Sequence, residues 1–164
     1  MNLIKTQKIA TRIGELEIDE KSIIHFEEGI PGFDKFKNYV IVERKESEPI
    51  KWLVCIDEPE VILPVINPWL VRIDYDVKID EGTIEMLNIE SQKDVLVLCV
   101  LVIPKNNPQD MTINLLAPII INIKNNRARQ IIMEESGYKI KHKVTEELER
   151  SRKMISEKPE KANG

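Results

Sequence analysis

The chain has 164 residues, 42% of them hydrophobic, and a formal net charge of −4. That length favours one domain, whose core can bury about two-thirds of the unfolded surface without help from disulfides or a metal. A membrane-spanning chain is excluded: the longest apolar run, Val95 to Pro104, is about half of what a helix needs to cross a bilayer.

Cys55 and Cys99 stand in apolar stretches with no CxxC partner, so two reduced, buried thiols are expected. Residues 1–5 lack the charged-then-apolar form of a secretory signal, and a soluble cytoplasmic protein is expected. Residues 15–60 hold 13 Asp/Glu against 6 Lys/Arg, a net −7, and residues 71–94 are also acidic. Lys124, Arg127, Arg129, Lys139, Lys141 and Lys143 reverse the sign further on, against Glu134 and Glu135. The acidic first half repels phosphates and suits a basic protein partner instead of direct contact with nucleic acid.

Strand signals dominate to about residue 140. Ile9 to Ile18 alternates, with Gly14 a turn between two short strands. Ser22 to Phe26 is a third run. Glu28 to Asp34 then needs turn geometry, because Gly29, Pro31 and Gly32 punctuate it, and Phe33 to Phe36 begins a short helical turn. Tyr39 to Glu43 and Ile50 to Ile56 are strands around a charged hairpin loop, Arg44 to Glu48. Pro59, Pro64 and Pro68 exclude a helix and imply edge strands or bends. Val71 to Val77 and Val95 to Ile103 read as strands, the second apolar on both faces and therefore central and buried. Asp80 to Asn88 is ambiguous, and Pro104 to Asp110 is a turn.

Residues 112–133 have the form of a strand-turn-strand unit. Two Ile-rich runs flank Lys124 to Arg127, whose asparagines accept left-handed or turn conformations. Tyr138 to Lys143 is the last run. The many short strands argue for an all-β barrel, roll or sandwich. From Val144 to Ser156 the chain is charged, with Thr145 a helix cap and the acidic residues ahead of the basic ones, as the helix dipole prefers. It reads as a solvated, frayed helix in preference to one with a specific docking role, with disorder at Pro159 and residues 161–164.

No constellation carries chemistry. His25 lies inside a strand and reads as a hydrogen-bonded structural residue. There is no G-x-S-x-G elbow, no clustered zinc ligands, no phosphate loop and no G-x-G-x-x-G. Glu27-Glu28 and Asp57-Glu58 read as solvated turn carboxylates and not acid/base pairs. No catalytic residue, metal or cofactor is expected. A single-strand nucleic-acid module would need stacking aromatics in a basic groove, and aromatics are only 5% of the chain. An uncatalogued hydrolase would have to use His25 or His142.

Four motifs in order resemble the flagellar assembly factor FliW family. They are Phe26-Glu27-Glu28-Gly29-Ile30-Pro31-Gly32-Phe33; Trp52-Leu53 with Asp57-Glu58-Pro59 and Val65-Ile66-Asn67-Pro68; Thr112 to Asn122; and Arg129-Gln130-Ile131-Ile132 leading to Tyr138. The likeness covers roughly residues 5–143, with Asn114, Pro118 and Asn122 its most specific part. Cys55, Leu63 and Ile30 depart from the expected Ser, Phe and Leu as core-type exchanges. The resemblance implies a non-enzymatic protein that folds as a compact β-barrel-like roll. It implies two competing partners: the RNA-binding regulator CsrA, whose repression of flagellin translation is lifted, and newly made flagellin. A dedicated flagellin chaperone is the alternative.

Together these readings give a mainly β chain. Residues 1–143 form a small closed or nearly closed antiparallel β-barrel or roll with one or two short helices, and residues 144–164 form a charged, partly helical or disordered tail. Asp57, Glu58 and Glu60 are the candidate partner-binding carboxylates, placed to oppose RNA phosphates beside a basic regulator. Ile30 and Phe33 either face a partner from a rigid loop, or the proline and glycines simply set the turn and Phe33 plugs the barrel end. Gly29, Pro31, Gly32, Trp52, Asn114, Pro118, Asn122 and Gln130 are expected as scaffold, with the Asn114 and Asn122 amides tying backbone groups or facing a partner.

Overall fold

The computed structural model describes residues 6–157. The readings for residues 1–5, Pro159 and residues 161–164 lie outside it. Eleven strands are described: β1 (Thr6–Thr11), β2 (Gly14–Asp19), β3 (Ile24–Phe26), β4 (Asn38–Glu43), β5 (Lys51–Cys55), β6 (Ile62–Ile66), β7 (Val95–Val102), β8 (Thr112–Ile113), β9 (Ile119–Asn122), β10 (Arg127–Gln130) and β11 (His142–Lys143). Two α-helices accompany them, α1 (Glu81–Leu87) and α2 (Val144–Glu157).

Seven strands close a barrel in the order β7-β6-β5-β4-β3-β10-β9, with β9 pairing back onto β7. The barrel is mixed where an antiparallel one was expected, since β3 and β10 run parallel with Phe26 opposite Ala128. Parity is the reason. Strand directions cannot alternate all the way round a ring with an odd number of members, so at least one neighbouring pair must be parallel.

Side-chain alternation sorts the apolar residues into three clusters. Along β7, Leu96, Leu98 and Val100 point into the barrel, while Val95, Val97, Cys99 and Leu101 point out. Phe26, Tyr39, Leu53, Cys55, Val65, Ile119, Ile121 and Ala128 complete the interior, with Phe26 edge-on to Tyr39 at 5.1 Å. The expected burial of β7 on both faces follows from having layers on each side, although Val102 at its end is exposed. The β1–β2 hairpin lays Leu16 and Ile18 over Val40, Val54 and Ile62 on one outer face. Gly14 takes φ +108° at its turn, a conformation that favours glycine.

The second outer face is covered by residues 67–94. Val71 to Val77 is not a strand. Val71 and Tyr75 pack inward while Ile73 is exposed, and both edges of β7 are already taken by β6, β8 and β9. The ambiguous stretch is α1, capped by Asp80, whose carboxylate accepts from Thr83 N and Oγ1 (3.2 and 2.6 Å), and ended by Asn88 at φ +54°. These are the end signals a short helix needs.

Pro64 sits inside β6 and not on an edge strand. The bond from Cys55 N to Val61 O sets the ladder phase. The Trp52–Pro64 pair then falls at a position without hydrogen bonds across to β5, so the ring nitrogen faces β7, whose pairing with β6 runs only through Val65–Val100 and Ile66–Cys99 and leaves Pro64 at the end of that ladder. Phe33 to Phe36 forms successive turns and no helix. The final run shortens to β11, because Tyr138 stacks on Tyr75 at 4.9 Å instead.

The tail helix is not a solvated one. α2 begins at Val144, so Thr145 lies inside it, and Val144, Glu147 and Ser151 are buried against the protein. The Ser151 hydroxyl donates to Val71 O (2.9 Å) and accepts from Ile73 N (3.1 Å). Arg150 makes a two-pronged pair with Asp74 (2.6 and 2.7 Å).

Candidate functional site

The structure brings the sequence motifs together as a platform. Asn122 at the end of β9 is 2% exposed. Its Nδ2 donates to Leu87 O (2.9 Å) and Asn88 O (3.1 Å), and its Oδ1 accepts from Lys124 N (3.0 Å). It thereby satisfies carbonyls that the C-terminus of α1 leaves without helical partners. Asn126 takes φ +57° in the β9–β10 turn, as its residue type allows. Asn114 Oδ1 accepts from Ala117 N (3.0 Å), Gln130 Nε2 donates to Ala117 O (2.9 Å), and buried Pro118 accepts from Ile131 N (3.0 Å). The Asn122 amide is therefore spent on backbone at both its nitrogen and its oxygen, and that of Asn114 at its oxygen. Trp52 lies on the outer face of β5 beneath the hairpin, its Nε1 donating to Ser47 Oγ at 2.9 Å.

The Gly29-to-Phe33 turn closes one end of the barrel. Ile30 is 3% exposed within the interior cluster, and Phe33 and Phe36 pack against it. Ile30 is thus not presented at the surface, while half-buried Phe33 keeps one side open. Gly29 has φ +69°, and a Cβ there would lie 2.6 Å from Asp34 O and 2.7 Å from Asp34 Cα. Pro31 and Gly32, the latter at φ +90°, are exposed at the tip.

The loop carrying Asp57, Glu58 and Glu60 adjoins this turn. Asp57 accepts from Lys37 N (2.8 Å), Asn38 N (3.0 Å) and Asn38 Nδ2 (3.3 Å). Burial pushes its carboxyl up, but these hydrogen bonds outweigh that and hold it below the usual carboxylate range. Asp57 therefore braces the loop. Half-buried Glu58 and exposed Glu60 carry no ion pair among the described residues. The charge separation read along the chain partly cancels in space: Arg127 meets Glu27 at 3.4 Å, Arg129 meets Glu28 at 2.8 Å, and Lys124 meets Asp94 at 3.6 Å. Arg129 also donates to Thr83 Oγ1 at 2.9 Å, joining α1 to the turn. The sequence shows Arg129 only as one of a basic cluster and as the start of the fourth motif, because nothing local marks a cation that bridges two distant elements.

No arrangement for bond chemistry assembles among the described residues. His25 Nδ1 lies 3.1 Å from Asn38 Oδ1, as a structural histidine would. Cys55 and Cys99 are buried and free. Burial pushes both thiols up, Cys99 to about 12. No group of three or more metal-ligating side chains occurs among the described residues. No described helix is long and apolar enough to cross a membrane.

The family described as FliW protein matches residues 7–144. The flagellar assembly factor FliW of Pseudothermotoga lettingae is 46% identical over 145 residues, covering 88% of this chain and 92% of that one. Its counterpart in Thermotoga maritima is 43% identical over 145 residues, covering 88% and 97%. A crystal structure of the flagellar assembly factor FliW superposes with a TM-score of 0.79 at 34% identity, covering 84% of this chain and 96% of that one. On these matches, over most of its length and with its fold, the chain belongs to the FliW family of flagellar assembly factors.

Proposed function

We propose that this protein works by binding, in competition, a CsrA-type RNA-binding regulator and flagellin, and that it thereby relieves repression of flagellin translation. It acts in the cytoplasm without cofactor or catalysis, on neither membrane nor nucleic acid directly. Membership of a flagellar assembly factor family supports the process. The observation that carries the mode is the Asp57-to-Glu60 loop, held out beside the Gly29–Phe33 turn by the hydrogen bonds of Asp57. Carboxylates on a braced loop suit a basic partner and oppose phosphates bound nearby. Half-buried Phe33 supplies an apolar contact at the same end. Division of the chain into a barrel at 1–143 and a tail at 144–164 belongs to the same proposal.

Pull-down with a CsrA-type protein and with flagellin, separately and together, tests the reading. Mutually exclusive complexes are expected. Failure to bind the regulator leaves only a flagellin chaperone. Glu58→Lys with Glu60→Lys should weaken regulator binding several-fold at low salt; unchanged competition with RNA removes these residues from the mechanism. Asp57 is unsuited to charge reversal, since its loss would undo the loop.

A further inference from the structure

Residues 131–133 continue the line of β10 beyond its last ladder pair. Ile131 N donates to Pro118 O (3.0 Å) and Met133 N to Leu116 O (2.9 Å). The backbone of the residue between them, Ile132, therefore points to the opposite edge. Ile131 and Met133 are buried, while Ile132 is 58% exposed. Its N–H and C=O have no backbone partner among the described residues. On that edge β10 is flanked by β3, which ends at Phe26 opposite Ala128, so the sheet leaves Ile132 uncovered.

A second extended stretch runs alongside. Tyr75, Val77 and Ile79 pack on the outer core, and Asp76, Lys78 and Asp80 stand out. Yet Val77, Lys78 and Ile79 enter no ladder, and their N–H and C=O groups have no backbone partner among the described residues. Asp76 N donates to the Tyr138 hydroxyl at 3.0 Å, and beyond the far end of the stretch Arg129 donates to Thr83 Oγ1 at 2.9 Å. Residues 76–80 and 129–134 thus run antiparallel, tied at both ends. Beside the Tyr138 tie lies a cleft of about 500 Å³, with Asp76, Lys78, Ile132, Glu134, Glu135 and Tyr138 in its lining. Its three carboxylates are exposed and carry no ion pair among the described residues, and Lys78 is the one cation of the lining.

We propose that this cleft is a strand-addition site for an extended, basic segment of a protein partner. A bare edge presents donors and acceptors at strand spacing and accepts an added strand. The guest main chain pairs with the N–H and C=O of Ile132 and lies against residues 76–79. Guest side chains alternate: apolar ones cover Ile132, and lysines or arginines reach Asp76, Glu134 and Glu135. Main-chain pairing gives a hold that any extended sequence can make, and the carboxylates select a basic one. The cleft shares no residue with the Asp57-to-Glu60 loop or the Gly29–Phe33 turn, and its role is separate from theirs.

Fluorescence anisotropy on the full chain, with a labelled, acetylated peptide of alternating lysine and valine at low salt, tests the site. Saturable binding is expected, weakened about tenfold by Glu134→Lys with Glu135→Lys. Both side chains are exposed, so the variant keeps its fold. A peptide of alternating glutamate and valine should not bind. N-methylation of the lysine–valine peptide, which removes its main-chain donors and keeps its charge, should weaken it about tenfold or more. On binding, the Ile132 amide should gain about tenfold in hydrogen-exchange protection while β4 to β6 stay unchanged. No saturable binding up to about 1 mM overturns the proposal. So does equal affinity for the N-methylated or the glutamate peptide, or for the double variant, or binding that leaves Ile132 exchange unchanged; each would reduce the contact to unspecific attraction.

Discussion

Asn122→Ala is the sharpest test of the platform. The side chain is 2% exposed and makes three hydrogen bonds to backbone. A neutral hydrogen bond contributes about 1 kcal/mol, and a buried carbonyl left without a partner costs about 1–3 kcal/mol. Leu87 O retains a second donor in Asn125 Nδ2 at 3.0 Å, so Asn88 O and Lys124 N are the groups stranded. The expected loss is about 2–4 kcal/mol, or roughly 4–16 °C in Tm for a chain of this size. Asn122→Asp separates the donor role from side-chain volume. Its carboxylate would face two carbonyl oxygens and be driven above the unfolded value, near 3.9. A group with a raised folded pKa contributes stability below the unfolded pKa and loses it as pH rises. Asn122→Asp should therefore be less stable than Asn122→Ala at pH 7 and recover towards pH 4. Urea denaturation followed by circular dichroism at both pH values measures this. A loss under about 1 kcal/mol for alanine, or an aspartate no worse than alanine at pH 7, refutes the argument that Asn122 holds the end of α1.

Gly29→Ala should destabilise by about 2–4 kcal/mol, since left-handed strain adds to a backbone clash at 2.6 Å. Gly32→Ala, with the same kind of φ but open space around it, should cost only about 1–2 kcal/mol; denaturation midpoints that rank them the other way refute the close approach. Asp57→Asn should flatten the acid limb of the stability curve. A depressed carboxyl contributes stability above its unfolded pKa that is lost as pH falls, and an unchanged acid limb in the variant refutes the bracing role. Cys55 and Cys99 should react with a thiol reagent only as fast as the protein unfolds, because both are 0% exposed; prompt labelling of one thiol per chain at neutral pH contradicts that burial.

Much of the architecture was legible because it is written in local chemistry. Alternation at Ile9 to Ile18, the Gly14 turn, the two-faced apolar run at Val95 and the Asn126 turn each report a backbone state within a few residues. Asp80, Thr83 and Asn88 also mark α1 once read as cap residues, though the seven-residue helix is too short to show a periodic face. Val71 to Val77 misled because its apolar residues record contact of Val71 and Tyr75 with a sheet face and not pairing at an edge. Pro64 misled because its missing N–H faces β7 just where the β6–β7 pairing stops at Val65, and the extent of that pairing belongs to the partner strand.

The candidate site divides in the same way. That Gly29 and Gly32 need a turn follows from residue type, while the burial of Ile30 in the barrel end depends on what seals the ring. Asp57, Glu58 and Glu60 look alike as a run of carboxylates, yet one is bound to backbone and two are free of ion pairs among the described residues. The sequence alone determined strand content, turns and, through four ordered motifs, the family. Only the tertiary structure decided the parallel β3–β10 contact, the pairing of Arg129 with Glu28 and Thr83, and the docking of α2 through Arg72, Glu147 and His142. Each joins residues far apart in the chain, and nothing in a local window records which distant surface a side chain will meet.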